Sequence, residues 1–375
     1  MCFHGGKYPR VIQMKRLFAG AAAILLAAAL VFPCNAISAG SAILYDGQTG
    51  RVLYEKQPDK QSLIASTTKI MTALVVCEQS NVLDRVRIMP EAVGIEGSSM
   101  YLKEGEVLTV QDLLYGLMLH SGNDAAVALA IYCGGTVEGF AELMNDKAHR
   151  LGMNSTHFVN PNGLDSPGHY STARDMAVLA AYAMENPIFA KTVSTKTVNI
   201  GGRTLRNHNK LLWLLEGADG VKTGFTKAAG RILVSSCTRQ GRRLIAVTMN
   251  DRNDWQDHQQ LMESGFADFT LQQIVKTGDC LGTISVVSGE ADRVELLANA
   301  DFSYALSATE QPHIVLSKPG FAYAPVVQGQ EAGFAYVCLG EKVVGKIPLV
   351  YGQTIETKKE KKPSVWEKLF KGGKI

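Results

Sequence analysis

The feature that most constrains this chain is a set of three short motifs in fixed order: Ser66-Thr-Thr-Lys69, Ser121-Gly-Asn123 and Lys222-Thr-Gly224. In a helix, residues three apart share a face, so Lys69 can sit over the hydroxyl of Ser66 one turn back. A serine hydroxyl is a poor nucleophile until an adjacent base takes its proton. Lysine is such a base only when neutral, which burial or a second nearby cation enforces, and Lys222 could be that cation. Taken alone, Ser-x-x-Lys is more often an ordinary helix-start serine with a solvated lysine. Here Ser66 is the only serine followed three residues later by lysine, and Ser121 the only one followed two residues later by asparagine. Three such elements in order describe a serine acyl-enzyme site.

The surroundings fit. Ser66 precedes the apolar run Ile70 to Val76, which puts it at the first turn of a buried helix, where free backbone N–H groups and the helix dipole suit an oxyanion. Thr109-Val-Gln-Asp112 reads as a capping box opening the helix Leu113 to His120, so Ser121-Gly-Asn123 falls at a turn between two helices. Lys222 precedes two strand-like runs, Ile232 to Thr238 and Leu244 to Met249, joined as a hairpin at Gln240-Gly241. A second Lys-Thr-Gly, Lys276 to Gly278, is a decoy: it ends the helix-like stretch Asp254 to Val275, with Gly278 as a C-cap. A sheet edge facing the serine is what positions a substrate strand, and only Lys222 offers one.

At this point the chain resembles the low-molecular-weight penicillin-binding proteins that are serine-type D-alanyl-D-alanine carboxypeptidases; the triple motif, with Asp where Gly122 stands, also marks β-lactamases. The likeness runs from about Ser41 to Gly278 and includes Phe158-Val-Asn-Pro-Asn-Gly-Leu164, His169-Tyr-Ser-Thr-Ala173 with Asp175, and Thr226-Lys-Ala-Ala-Gly230. The Asn160 to Gly163 turn and the Ser171 to Asp175 helix start read as scaffold. The resemblance implies that Ser66 attacks the carbonyl between two D-alanines, Lys69 takes its proton, and Ser121 passes a proton toward the leaving amine. It further implies that Asn123 binds the substrate amide, that Lys222 poises Ser121 and Lys69 by field and hydrogen bonds, and that backbone N–H groups of Ser66 and Phe225 form the oxyanion hole. Thr223 and Gly224 belong to the same substrate-binding strand, and Arg231 or Arg252 is the candidate partner of the substrate carboxylate. The implied partners are peptidoglycan stem peptides ending in D-Ala-D-Ala and β-lactam antibiotics. Two rivals stand beside this: a β-lactamase, or a non-catalytic penicillin-binding wall scaffold. Class A β-lactamases use a glutamate in a loop after the second motif. Between Leu143 and Met184 there is none.

Pattern sketches the fold. Ala42 to Tyr45 and Val52 to Tyr54 flank a turn signal; with the Lys222 strand and the two runs after it they make five candidate strands, while residues 62 to 190 read as mostly helical. The expectation is an α/β domain with a five-stranded antiparallel sheet flanked by helices, as the resemblance also implies. From Leu281 onward short β-branched runs predict a small all-β domain without catalytic residues. The expected domains are a signal peptide at 1–36, a catalytic domain at 37–278, a β-rich domain at 279–352 and a basic amphipathic tail at 353–375. Lys15-Arg16 and the apolar run Leu17 to Phe32 have signal-peptide shape, with Met14 a possible true start. That places the chain outside the cytoplasmic membrane or in the cell wall. In the tail, Lys358 to Lys362 leads into Val365, Trp366, Leu369 and Phe370 on one helical face, which suits a membrane-surface anchor. A net charge of +3 gives no reason to expect nucleic acid. Neither the cysteine nor the histidine spacing predicts a metal or cofactor site.

Overall fold

A computed structural model describes residues 36–359; the signal-peptide segment up to residue 35 and the amphipathic tail from residue 360 lie outside them. The first strands are β1 (Ser41–Asp46) and β2 (Val52–Lys56). The helical region follows: α1 (Lys69–Gln79), a small ribbon of β3 (Arg85–Arg87) and β4 (Val107–Thr109), then α2 (Val110–Leu119), α3 (Asn123–Gly134), α4 (Val137–Arg150), α5 (Ala173–Ala183) and α6 (Pro187–Ser194). A hairpin of β5 (Thr197–Ile200) and β6 (Arg203–Arg206) and the single turn α7 (Leu211–Leu214) lead into β7 (Ala218–Thr226), β8 (Gly230–Arg239), β9 (Arg242–Met249) and α8 (Asp254–Asp268).

The main sheet has the order β2-β1-β9-β8-β7, every neighbour antiparallel. These are the five strands expected from sequence. Strand β9 lies in the middle and is buried on both faces, which explains its nearly unbroken apolar run. Its Ile245 and Val247 join the large core under α1 to α6. On the other face α8 packs so closely that a Cβ on Gly265 would come within 2.6 Å of Leu44 and 2.8 Å of Leu244. There His258 spans two strands, with Nδ1 2.6 Å from Ser235 Oγ and Nε2 3.0 Å from Thr248 Oγ1. Burial pushes its pKa down to about 3, so it is a neutral structural histidine.

The expected capping box is present: Thr109 accepts from the Asp112 backbone N–H while Asp112 accepts from that of Thr109. The helix it opens starts at Val110, three residues earlier than the apolar run suggested, because the capping residue itself sets the first turn. One expectation fails. The stretch 254–275 is not a single helix: α8 stops at Asp268 and Phe269–Val275 is a strand, β10, paired with β13 (Phe302–Ser307). Gly278 therefore caps no helix but sits in the turn into β11 (Cys280–Val287). The remaining strands are β12 (Arg293–Ala298), β14 (Pro312–Ser317), β15 (Phe321–Tyr323), β16 (Glu331–Leu339) and β17 (Lys342–Tyr351). They form with β11 a six-stranded sheet of order β14-β16-β17-β12-β11-β15. It is all-β with its own core of Ile284, Val294, Leu296, Ala335, Val337, Ile347 and Leu349. The described residues from Ala39 onward make one compact unit. Arg51, just before β2, ties the main sheet to the β10–β13 pair, pairing with Glu310 at 2.6 Å and donating to the Ala305 carbonyl on β13.

Candidate active site

Ser66 lies in a short 3₁₀ turn, Ala65–Thr68, that runs straight into α1, so Lys69 is the first residue of the helix. Lys69 is fully buried, and its Nζ has three neighbours: Ser66 Oγ at 3.0 Å, Asn123 Oδ1 at 2.7 Å and the Asn162 carbonyl at 2.6 Å. Two of these are pure acceptors. A neutral amine has two N–H donors and one lone pair; with the donors given to Asn123 and Asn162, the lone pair is left for the Ser66 hydroxyl. In its neutral form, Lys69 is thus placed to accept from the Ser66 hydroxyl. Electrostatics agrees: desolvation first, and the charge of Lys222 second, hold the Lys69 pKa well below its ordinary value. Lys222 is itself buried, and desolvation brings its pKa down to about 7. The two amines repel each other when both are charged, so a protonated Lys222 disfavours the protonated form of Lys69. The Lys222 amine hydrogen-bonds the Thr223 carbonyl at 2.9 Å, so its hold on Lys69 runs through the field.

The second motif occupies the turn between α2 and α3. Ser121 takes a left-handed conformation, φ 62°, uncommon for a residue with a Cβ, and that turn aims it into the cleft beside His120. Asn123 begins α3; besides accepting from Lys69, it donates through Nδ2 to the Glu96 carbonyl. The third motif lies on β7, the edge strand of the sheet, whose outer side faces the cleft. Gly224 is required by close approach: a Cβ there would stand 3.2 Å from the Ile64 carbonyl and 3.3 Å from the Thr67 nitrogen. Phe225 is mostly exposed at the rim. Ser66, Ser121, Thr223, Gly224 and Phe225 all line one cavity of about 770 Å³.

The decoy is excluded by place. Lys276 is exposed, and Thr277 bonds Asp301 in the loop before β13. The two arginines weighed are both exposed, and of them only Arg231 lines the cleft. Arg231 is held by a bidentate pair with Asp254, at 2.7 and 2.8 Å, over the Trp255 ring.

Sequence reasoning missed the part of the 158–169 loop that touches chemistry. Its turn was read as scaffold, yet the Asn162 carbonyl is one of the two acceptors that fix Lys69. Asn160 shapes the loop, accepting from the Gly163 N–H at 2.7 Å and donating to the Leu164 carbonyl at 2.9 Å. His169 then fastens it to the Ser66 turn. Its Nδ1 accepts from the Val159 N–H, so Nε2 carries the proton and donates to Thr68 Oγ1 at 2.8 Å. Burial lowers the His169 pKa to about 4, which keeps that arrangement neutral. Among the described residues no group of histidine, cysteine or acidic side chains is placed to hold a metal.

Fold and site together define a serine peptidase that works through an acyl-enzyme. Residues 28–253 match the family model described as D-alanyl-D-alanine carboxypeptidase, and residues 269–357 that of the penicillin-binding protein 5 C-terminal domain. The chain is 36% identical over 338 residues to the D-alanyl-D-alanine carboxypeptidase DacD of Salmonella typhimurium, covering 84% of this chain and 86% of that one. It is 32% identical to DacF of Bacillus subtilis, covering 83% and 84%. The crystal structure of penicillin-binding protein 5 from Haemophilus influenzae superposes with a TM-score of 0.76 at 31% identity, covering 87% of this chain and 99% of that one. The chain belongs to the D-alanyl-D-alanine carboxypeptidase family, as a serine-type hydrolase that binds penicillin.

Proposed function

We propose that the protein removes the terminal D-alanine from peptidoglycan stem peptides, with each site residue in a definite role. Ser66 Oγ attacks the carbonyl between the two D-alanines as its proton passes to neutral Lys69. Backbone N–H groups of Ser66 and Phe225 receive the developing oxyanion, and Ser121 delivers a proton to the leaving amine. The substrate backbone pairs with the free edge of β7 along Thr223 to Phe225, and Asn123 receives the substrate amide. Thr223 and Arg231 take the terminal carboxylate; Arg231 is chosen over Arg252 because it lines the cleft with its guanidinium oriented by Asp254. Water then hydrolyses the Ser66 ester. A β-lactam follows the same first step, and the lack of any glutamate between Leu143 and Met184 favours a slowly released acyl-enzyme over a resistance enzyme.

The observation that carries this reading is the contact set of Lys69. The residue division 37–278 catalytic and 279–352 β-rich, export through residues 1–36, and anchoring at the outer face of the cytoplasmic membrane by residues 353–375 belong to the same proposal, supported by sequence pattern. The test is incubation of the chain lacking residues 1–36 with diacetyl-Lys-D-Ala-D-Ala and assay of free D-alanine. Release matched by stoichiometric labelling with a fluorescent penicillin is expected. Labelling without release would leave a wall-binding scaffold.

A further inference from the structure

We propose that the C-terminal β-sheet carries its own contact with the membrane interface, a patch of Phe321, Tyr323 and Val287 beside the point where the chain leaves the sheet. The inference rests on the tail reading above and adds a folded surface to it. Strand β15 is the sheet's edge and runs parallel to β11, with Ser285 beside Phe321, Val286 beside Ala322 and Val287 beside Tyr323. Strand alternation therefore sends Val286 and Ala322 into the core and Phe321, Tyr323 and Val287 outward. Their exposures are 50%, 66% and 41%. The two rings touch edge to face, centroids 5.2 Å apart, so the edge presents one continuous aromatic surface. Val327, a few residues on, is 53% exposed.

What covers this surface is argued from where the chain goes. Ile355 bridges Val326, and the Lys358 N–H donates to the carbonyl of Ser288, the residue next to Val287. The chain thus leaves the sheet at the patch. Beyond it come Lys361 and Lys362 and then Val365, Trp366, Leu369 and Phe370. At full extension about 3.5 Å per residue, the segment from Glu360 to Val365 spans only about 20 Å. A tail lying in the interface therefore holds the patch within reach of the same surface. Tyrosine and phenylalanine suit that depth, where one end of a ring is wet and the other apolar. Glu290 and Glu356 lie at the same end, joined by a backbone hydrogen bond, and balance Lys358 and Lys359. The contribution of the patch is accordingly apolar. It should survive salt, whereas the share from the tail lysines is screened.

The test is co-sedimentation of the chain lacking residues 1–36 with phosphatidylglycerol–phosphatidylethanolamine vesicles at low and high salt. Four forms are compared: wild type, Phe321→Ser with Tyr323→Ser, the chain lacking residues 360–375, and both changes together. The double substitution is expected to lower the partition coefficient about tenfold at both salt concentrations, with D-alanine release unchanged. An unchanged coefficient, with binding lost on tail removal, would overturn the patch and leave the tail reading intact; binding unaffected by tail removal would overturn the tail reading instead. Should the double variant fold poorly, Tyr323→Trp with brominated lipid supplies the readout: added fluorescence quenching over wild type is expected, and its absence overturns the proposal. A wild-type chain that dimerises without lipid, and ceases to in the double variant, would assign the patch to a second copy and overturn it as well.

Discussion

Replacing Gly163 by alanine should disable the enzyme although Gly163 carries no functional group. Gly163 has φ +84°, and a Cβ there would stand 1.9 Å from the Ala65 carbonyl oxygen, 2.4 Å from its carbon and 2.8 Å from Thr68 Oγ1. Ordinary contact needs ~3.5 Å, so the loop or the Ser66 turn must move by more than an ångström. The left-handed backbone costs an alanine about 1–2 kcal/mol and the overpacking about 1–3 kcal/mol more, a destabilisation of roughly 2–5 kcal/mol. Both sides of the clash bear on catalysis: Ala65 precedes the nucleophile, and Asn162, next to Gly163, supplies the carbonyl that fixes Lys69. A displacement of about 1 Å at such a point costs on the order of 10²-fold in rate. Gly152→Ala is the control, since Gly152 also has positive φ, +73°, but meets nothing within 4 Å. Urea denaturation and kcat/KM for diacetyl-Lys-D-Ala-D-Ala should show both variants destabilised and only Gly163→Ala slow. If Gly163→Ala keeps kcat/KM within twofold of the control, the loop does not position Lys69 and the reasoning is wrong.

Ser66→Ala should abolish D-alanine release and covalent penicillin labelling, whereas Lys276→Ala, in the turn between β10 and β11, should alter neither; loss of labelling in a folded Lys276→Ala would reverse the choice between the two Lys-Thr-Gly motifs. Acylation requires neutral Lys69, so its rate should be full above the lowered Lys69 pKa and fall as pH drops through it. Lys222→Gln removes the cation that disfavours protonated Lys69 and should move this acidic limb to higher pH; a limb that stays in place would refute the electrostatic coupling. Lys69→Arg should be nearly inactive at every pH, because arginine does not give up its proton. Asp46 and Arg242 form a buried pair at 2.7 Å, and Asp46 also accepts from the Gln48 and Thr49 N–H groups. Asp46→Ala should cost about 3–5 kcal/mol by leaving a buried guanidinium uncompensated, read from the urea midpoint, and a loss below 1 kcal/mol would show the pair to be dispensable.

The sequence alone singled out Ser66, Lys69, Ser121 and Lys222 as candidate site residues, because each lies in a motif whose spacing is short enough to be read along the chain. It also determined the five-stranded sheet, since strand periodicity and turn residues are local signals, and the Thr109–Asp112 cap, since both partners are three residues apart. It misjudged the end of α8, where polar residues compatible with a helix, Thr270, Gln272 and Gln273, are drawn into pairing with β13. Only tertiary structure decided which arginine reaches the cleft, because Arg231 and Arg252 are both exposed at the same end of the β8–β9 hairpin and only Arg231 lines the cavity. Only tertiary structure, too, revealed the Asn162 carbonyl against Lys69, 93 positions apart, and His169 against Thr68, 101 apart. A backbone carbonyl has no letter in a sequence, and a histidine fixed by two neutral partners has no spacing rule; both are specified by packing, where burial makes a lysine neutral and a loop holds it in place.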